Sequence, residues 1–188
     1  MLNLANFYNE GQRQYDKAEP LYVACLEQRR ITLGENHPDT LITMYNLAGL
    51  YYYQERYEKA EPLYVTGLER YRITFGESHP ITRSMMYNLA NVYDAQNQNA
   101  KSEPLYAAYL EQQRILLGES HPDTLSSMNG LAIVYYKQGQ YEKAEAMFLD
   151  CFLKREVVLG ADHPDTIDTK ENLDIVRNKR KPSLCTIS

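Results

Sequence analysis

Every histidine in this chain is followed by proline, and the four pairs, at His37, His79, His121 and His163, stand 42 residues apart each time. A period that strict rules out a single central core. Each unit has to bury its apolar face against the next one, which makes the chain a solenoid or array. The blocks around the pairs repeat as well: LGENHPDT at 33–40, FGESHPIT at 75–82, LGESHPDT at 117–124 and LGADHPDT at 159–166. Function is then to be sought on a surface that the stacking creates.

Within the period 37–79, Leu41, Met44, Leu47, Ala48 and Tyr51 recur at three-and-four spacing, the pattern of a helix with one apolar face. This is helix A. Asp39 and Thr40 behind Pro38 read as its start, because proline presets φ and a short polar side chain caps free amides. After a polar turn at Glu55 and Arg56, a second stripe runs through Tyr57, Ala60, Leu63, Tyr64, Gly67 and Leu68. This is helix B, with Gly76 as its C-terminal cap. Pro62 is expected within or close to its first turn, where the missing N–H costs nothing.

The slots of helix B recur through the chain. Small residues stand at Ala18, Ala60, Ser102 and Ala144, aromatic ones at Tyr22, Tyr64, Tyr106 and Phe148, and large apolar ones at Leu26, Leu68, Leu110 and Phe152. A small residue lets two helices approach and the aromatic one fills the groove beside it. The turn tyrosine recurs as Tyr15, Tyr57 and Tyr141, with Asn99 in its place in the third repeat. The first helix A is short, beginning at Asn3-Leu4-Ala5, and the turn at Gly11–Gln14 is one residue longer than its counterpart. The segment TIDTKENLDIVRNKR reads as a fifth helix A that caps the array, its charges suiting a solvated side.

The order Leu47-Ala48, Tyr51, Tyr57, Ala60, Tyr64, Gly67 resembles the tetratricopeptide repeat signature. With NLA, YEKAEPLY and LGxxHPDT at a 42-residue period, it is similar to the repeats of kinesin light chains. That resemblance implies an all-α, right-handed superhelical solenoid in which helix A lines a concave groove and helix B the outer face. It directs Tyr45, Asn46, Tyr52, Tyr87, Asn88, Asn91, Asn129, Tyr136 and Asn172 into the groove as the candidate peptide contacts, and Gly49, Asp94, Gly130, Ile133, Glu171, Ile175 and Asn178 occupy slots of the same concave face. Asparagine offers both a donor and an acceptor to a peptide backbone, and tyrosine an apolar face with a polar tip. The bland alternative for Asn46, Asn88 and Asn172 is that they tie neighbouring helices together. Ile42, Ser84 and Ser126 occupy slots where kinesin light chains would present lysine or arginine to acidic cargo.

Other chemistry is weakly supported by the sequence. Histidines on successive layers, roughly 10 Å apart, cannot converge on a zinc ion, whose ligands all lie within about 2.3 Å of it; a repeated loop contact or cap is the reading for them. Cys25 and Cys151 share the slot of Gly67 and read as small packing residues, and carboxylates such as Glu58/Glu61 and Glu142/Glu145 read as solvated helix faces. No glycine-rich phosphate loop or nucleophile elbow stands out, so the chain is not expected to be an enzyme or to need a cofactor. A net charge of −5 argues against nucleic acid as partner. No apolar run reaches the length of a membrane span, and an odd number of cysteines in no cluster fits a reducing, cytoplasmic setting. The last four residues, Cys185 to Ser188, match the prenylation pattern C-a-a-X behind the basic Lys179, Arg180 and Lys181; tethering to a membrane face through Cys185 is the expectation this carries.

The sequence therefore predicts an array over 1–178, with helix pairs near 1–33, 38–76, 80–118 and 122–160, a capping helix at 164–178 and a basic flexible tail at 179–188. The function that fits is a monomeric, non-catalytic adaptor that holds an extended protein or peptide segment in its groove. The alternative is a repeat fragment of a larger signalling or motor-associated protein with no ligand of its own.

Overall fold

Four times the chain turns from a histidine into a helix. His37 is extended at φ −67°, ψ 139°, Pro38 opens the helix, and the His37 Nδ1 accepts a hydrogen bond from the Asp39 N–H at 3.2 Å. The same 3.2 Å bond joins His79 to the Ile81 N–H, His121 to that of Asp123 and His163 to that of Asp165. The imidazole thus satisfies one of the orphan donors of the first turn; of the two candidates read from the sequence, the histidine and the Asp39-Thr40 pair, the histidine is the cap. Thr40 does something else: its hydroxyl donates to the Gly34 carbonyl at 2.8 Å, as Thr82 does to that of Gly76 at 2.9 Å, pinning the preceding loop to the helix.

The structure, a computed structural model, describes residues 1–11 and 14–180. Among these the elements are α1 (Leu2–Asn6) followed by a π-helical turn (Phe7–Gly11), α2 (Tyr15–Thr32), α3 (Pro38–Tyr53), α4 (Tyr57–Phe75), α5 (Pro80–Ala95), α6 (Asn99–Leu117), α7 (Pro122–Lys137), α8 (Tyr141–Leu159) and α9 (Pro164–Arg180). The odd-numbered helices are helices A and the even-numbered ones helices B, so the all-α expectation holds. Helix A passes to helix B through one left-handed residue, Glu55 at φ 59°, Asn97 at φ 58° and Gly139 at φ 75°. Helix B ends on a glycine such as Gly76 at φ 84°, where no side chain has to be accommodated. Pro20, Pro62 and Pro104 lie inside their helices, and Pro62 follows just behind the first turn of α4, which starts at Tyr57.

Two compact units make up the chain, Met1–Gln98 and a second beginning at Asn99. In the first, α1 packs on α2, α2 on α3, α3 on α4 and α4 on α5; in the second, α6 packs on α7, α7 on α8 and α8 on α9. The anticipated slots form the core. Ala18, Ala60, Ser102 and Ala144 are fully buried, as are nearly all of the aromatic residues four positions later, and Leu41, Met44, Leu47 and Ala48 of α3. Phe152 departs from this: it is only half-buried, while its neighbour Cys151 is fully buried and donates to the Leu125 carbonyl at 3.2 Å. Burial pushes the Cys151 thiol up.

Carboxylates at one slot of helix B are anchors, not surface. Glu19 accepts from Arg56 Nη1 at 2.5 Å, from Arg56 Nη2 at 3.1 Å and from the Tyr51 hydroxyl at 3.1 Å. One period on, burial and then the hydrogen-bonded Glu61 carboxylate push the Tyr93 phenol up, and burial and then the nearby Glu103 carboxylate do so to that of Tyr135. In the last position Glu145 pairs with Arg177 and Arg180 of α9. Glu19, Glu61 and Glu145 each tie a helix B to the next helix A, and the Glu103 charge lies near one. The reading of Glu61 and Glu145 as solvated charges is corrected by these contacts.

Arg180 is therefore the last residue of a helix that runs two residues past the expected end, and Lys179 and Arg180 belong to α9 rather than to a tail. Lys181 and Cys185 lie outside the described residues. No described helix is long and apolar enough to cross a membrane.

Candidate functional site

Three helices of the first unit enclose a cleft of about 470 Å³, lined by Asn9, Tyr45, Asn46, Gly49, Tyr52, Tyr53, Tyr64, Tyr87, Asn88 and Asn91. Tyr45, Asn46, Tyr52 and Tyr53 come from α3, Tyr87, Asn88 and Asn91 from α5, and Tyr64 from α4. The cleft exists because helix A repeats polar and aromatic residues on the face opposite to its Leu-Ala core stripe. Six of the nine residues expected from sequence meet here: Tyr45, Asn46, Tyr52, Tyr87, Asn88 and Asn91. Asn129, Tyr136 and Asn172 belong to the second unit. There Tyr136 packs on the cluster of Ala132, Phe148 and Leu173 with its ring 5.7 Å from that of Tyr141, and the Asn129 side-chain oxygen is buried without a partner.

Tyrosines give the cleft its walls. The rings of Tyr45 and Tyr64 meet edge to face at 6.1 Å, and Tyr52 packs on Tyr53 at 5.8 Å and on Tyr57 at 5.7 Å. Gly49 lies on the floor, where a Cβ would meet the Tyr64 hydroxyl at 3.5 Å, an ordinary contact. Asparagine amides tie the walls together. Asn88 Nδ2 donates to the hydroxyls of Tyr45 and Tyr64, 3.2 Å from each, and Asn46 Nδ2 donates to Asn6 Oδ1 at 3.3 Å, which also accepts from Tyr22 at 2.6 Å. The described residues give no hydrogen bond to the amide oxygens of Asn46 and Asn88, which leaves both as acceptors among those of the cleft. Its titratable groups are phenols, and burial pushes those of Tyr52 and Tyr64 up, so the lining stays neutral.

Asn9, Tyr53 and Tyr64 were not legible as cleft residues. Asn9 sits in the π-helical turn of the shortened first helix, where the repeat register slips, and Tyr64 falls on the helix B core stripe, yet its hydroxyl reaches the cleft. Among the described residues no group of acidic, histidine or cysteine side chains is placed to hold a metal ion. The four histidines are spent on their helix starts.

The profile of the tetratricopeptide repeat family matches residues 1–73, 46–114 and 82–152. The chain belongs to the tetratricopeptide repeat family. Its fold is that of a kinesin-light-chain-like protein of Podosopora anserina with nearly identical TPR-like repeats: the TM-score is 0.83 at 23% identity over 95% of this chain and 85% of the other. A point variant of that protein gives the same values. BtubC (BKLC) from P. vanneervenii is similar with a TM-score of 0.77 at 25% identity, covering 93% of this chain and 69% of the other. No curated protein matches the sequence significantly. Tetratricopeptide repeats are protein-interaction repeats, so this tetratricopeptide chain is a scaffold for protein partners.

Proposed function

We propose that the cleft of the first unit holds an extended peptide segment of a protein partner and that the chain works as a non-catalytic adaptor. The observation that carries this is the pairing of unclaimed amide oxygens on Asn46 and Asn88 with tyrosine walls in a neutral cleft of about 470 Å³. Such oxygens accept N–H groups of a peptide backbone whatever its sequence, while the rings cover its side chains at small entropic cost. The free, buried Cys25 and Cys151 suit work in a reducing compartment, the cytoplasm.

Random peptides displayed on phage and selected on the full chain provide the ligands for a test. Replacing Asn46, Asn88 and Asn91 by alanine should weaken the selected peptides by a few kcal/mol in all, at ~0.5–1.5 kcal/mol per hydrogen bond. Affinity should barely respond to salt, because no charged side chain is among the described residues that line the cleft. Peptides that bind the triple variant equally well, or bind with a steep salt dependence, would overturn the reading. The ties from Asn46 to Asn6 and from Asn88 to Tyr45 and Tyr64 favour a second reading, in which the asparagines only fasten helices. In that case the triple variant melts earlier and the selection yields no peptide that competes for the cleft.

A further inference from the structure

One slot of helix B changes in the last pair. Pro20, Pro62 and Pro104 hold it in turn, but α8 has Ala146 there. Beside it, within the second unit, α6, α7 and α8 enclose a groove of about 330 Å³ whose apolar lining is Met128, Tyr135, Ala146 and Met147. Met128 is 1% exposed and forms the floor. Alanine leaves a single methyl where the other repeats place a proline ring, and the two thioethers adapt to an occupant of irregular shape.

Charges stand at the ends of this groove. Lys143 and Asp150 line it along α8, about 10 Å apart at 1.5 Å of rise per residue. Lys154 holds Asp150 at 2.9 Å and Glu119 at 2.7 Å, and Glu119 lies 4.0 Å from the lining residue Arg114, which puts Arg114 at the Asp150 end. The arginine of this slot elsewhere meets the glutamate five residues on, Arg30 Nε at 3.5 Å from Glu35 and Arg72 Nε at 2.9 Å from Glu77. At Arg114 the pair is stretched because Lys154 draws Glu119 away. Glu111 is no nearer than 3.7 Å, so Arg114 makes no hydrogen bond among the described residues, and its Nε is buried without a partner. Lys143 pairs with no described carboxylate; its Nζ lies 5.2 Å from the centre of the Tyr135 ring.

We propose that this groove docks a helix of a protein partner that presents an apolar side chain between two carboxylates, one for the Arg114 fork and one for Lys143. Charge complementarity carries the argument: an apolar floor has a cation with unused donors at either end, while the carboxylate of its own lining, Asp150, is already taken. On a helix, acidic residues at i and i+7 also stand about 10 Å apart, with i+3 and i+4 between them on the same face. Arginine adds bidentate geometry to the charge. The groove is separate from the cleft of the first unit and does not depend on the reading given for it.

An end-blocked, alanine-based helical peptide containing Glu-Ala-Ala-Leu-Leu-Ala-Ala-Glu serves as probe, titrated into the full chain with isotope-labelled methionine methyls that M128L and M147L assign. The Met128 and Met147 signals should shift and those of Met44 and Met85 stay in place. Arg114→Gln should weaken binding about tenfold, and a peptide with glutamine for both glutamates should bind the wild type at least tenfold more weakly and no longer tell it from R114Q. Ala146→Pro installs the residue that three other helices already tolerate; it should keep the fold, fill the groove and abolish the shifts. The triple alanine variant at Asn46, Asn88 and Asn91 should bind this peptide as the wild type does, which separates a failure here from a failure of the peptide cleft. Unmoved Met128 and Met147 signals, an affinity indifferent to R114Q or A146P, equal binding of the glutamine peptide, or signals that move with chain concentration alone, as a second copy in the groove would make them, would overturn the proposal.

Discussion

Histidine is an uncommon choice for a helix start, yet at all four sites it accepts from an amide two residues on. The sequence offered both the neighbouring Asp39 and Thr40, because those types usually cap, and the histidine as a repeated loop contact or cap; His37, extended before a proline, is the residue whose side chain caps. Glu19 makes the same point about charge. Hydrogen bonds from Arg56, first of all, and from Tyr51 hold its carboxyl below its usual range near 4.5, against the opposing effect of burial. A depressed carboxyl stabilises the fold fully above its unfolded value, and this is lost as the pH falls through the folded one. Glu19→Gln should therefore lower stability by about 1 kcal/mol near neutral pH, with the gap to wild type closing in acid. Thermal unfolding followed from neutral pH to about pH 3 would measure it; a gap that persists at the acid end would assign the loss to packing instead.

At the scale of single elements, the turn between helix A and helix B needs one left-handed residue, and the repeats fill it with Glu55, Asn97 or Gly139. An L side chain strains there by ~1–2 kcal/mol, so Glu55→Gly should raise the stability of the first unit by about 1 kcal/mol and Gly139→Ala should lower that of the second by a similar amount. Urea unfolding of each variant reads this directly, and a stabilising G139A would contradict it. Helices were legible because their apolar period is regular and the His-Pro and Gly signals bracket them. Glu61 and Glu145 were not, since a glutamate that meets a tyrosine or arginine of the next helix looks like any other exposed glutamate until the two helices are laid side by side. The polar character of α9 was readable, and Lys170 and Asp174 show its cause: they replace a buried methionine and a buried alanine with groups that must stay in water.

Along the whole molecule, the division between units falls at Gln98 and Asn99, beside the repeat that strays furthest from the pattern. Asn99 replaces the turn tyrosine and its side-chain oxygen is buried without a partner, Ser102 buries a hydroxyl, and Tyr109 fills a slot held elsewhere by cysteine or glycine, engaging Gln113 at 2.6 Å. Amides of α6 should therefore exchange with solvent faster than those of α4 and α8, by a factor that reflects on the order of 1 kcal/mol per mismatch; equal protection would show that the mismatches are absorbed. The row of groove residues was legible slot by slot, but its grouping was not, because a 42-residue ruler places residues along a chain and says nothing of where one compact unit ends. The caps and the glutamate anchors have a further consequence, for the gene. Each block carries its own starting histidine, one glutamate for the helix that follows and one phenol or guanidinium for the helix before. An in-frame duplication of one 42-residue block in the interior would insert a helix pair whose two faces already match their new neighbours, so the length of this array is a quantity that slippage in DNA replication can change without breaking the fold.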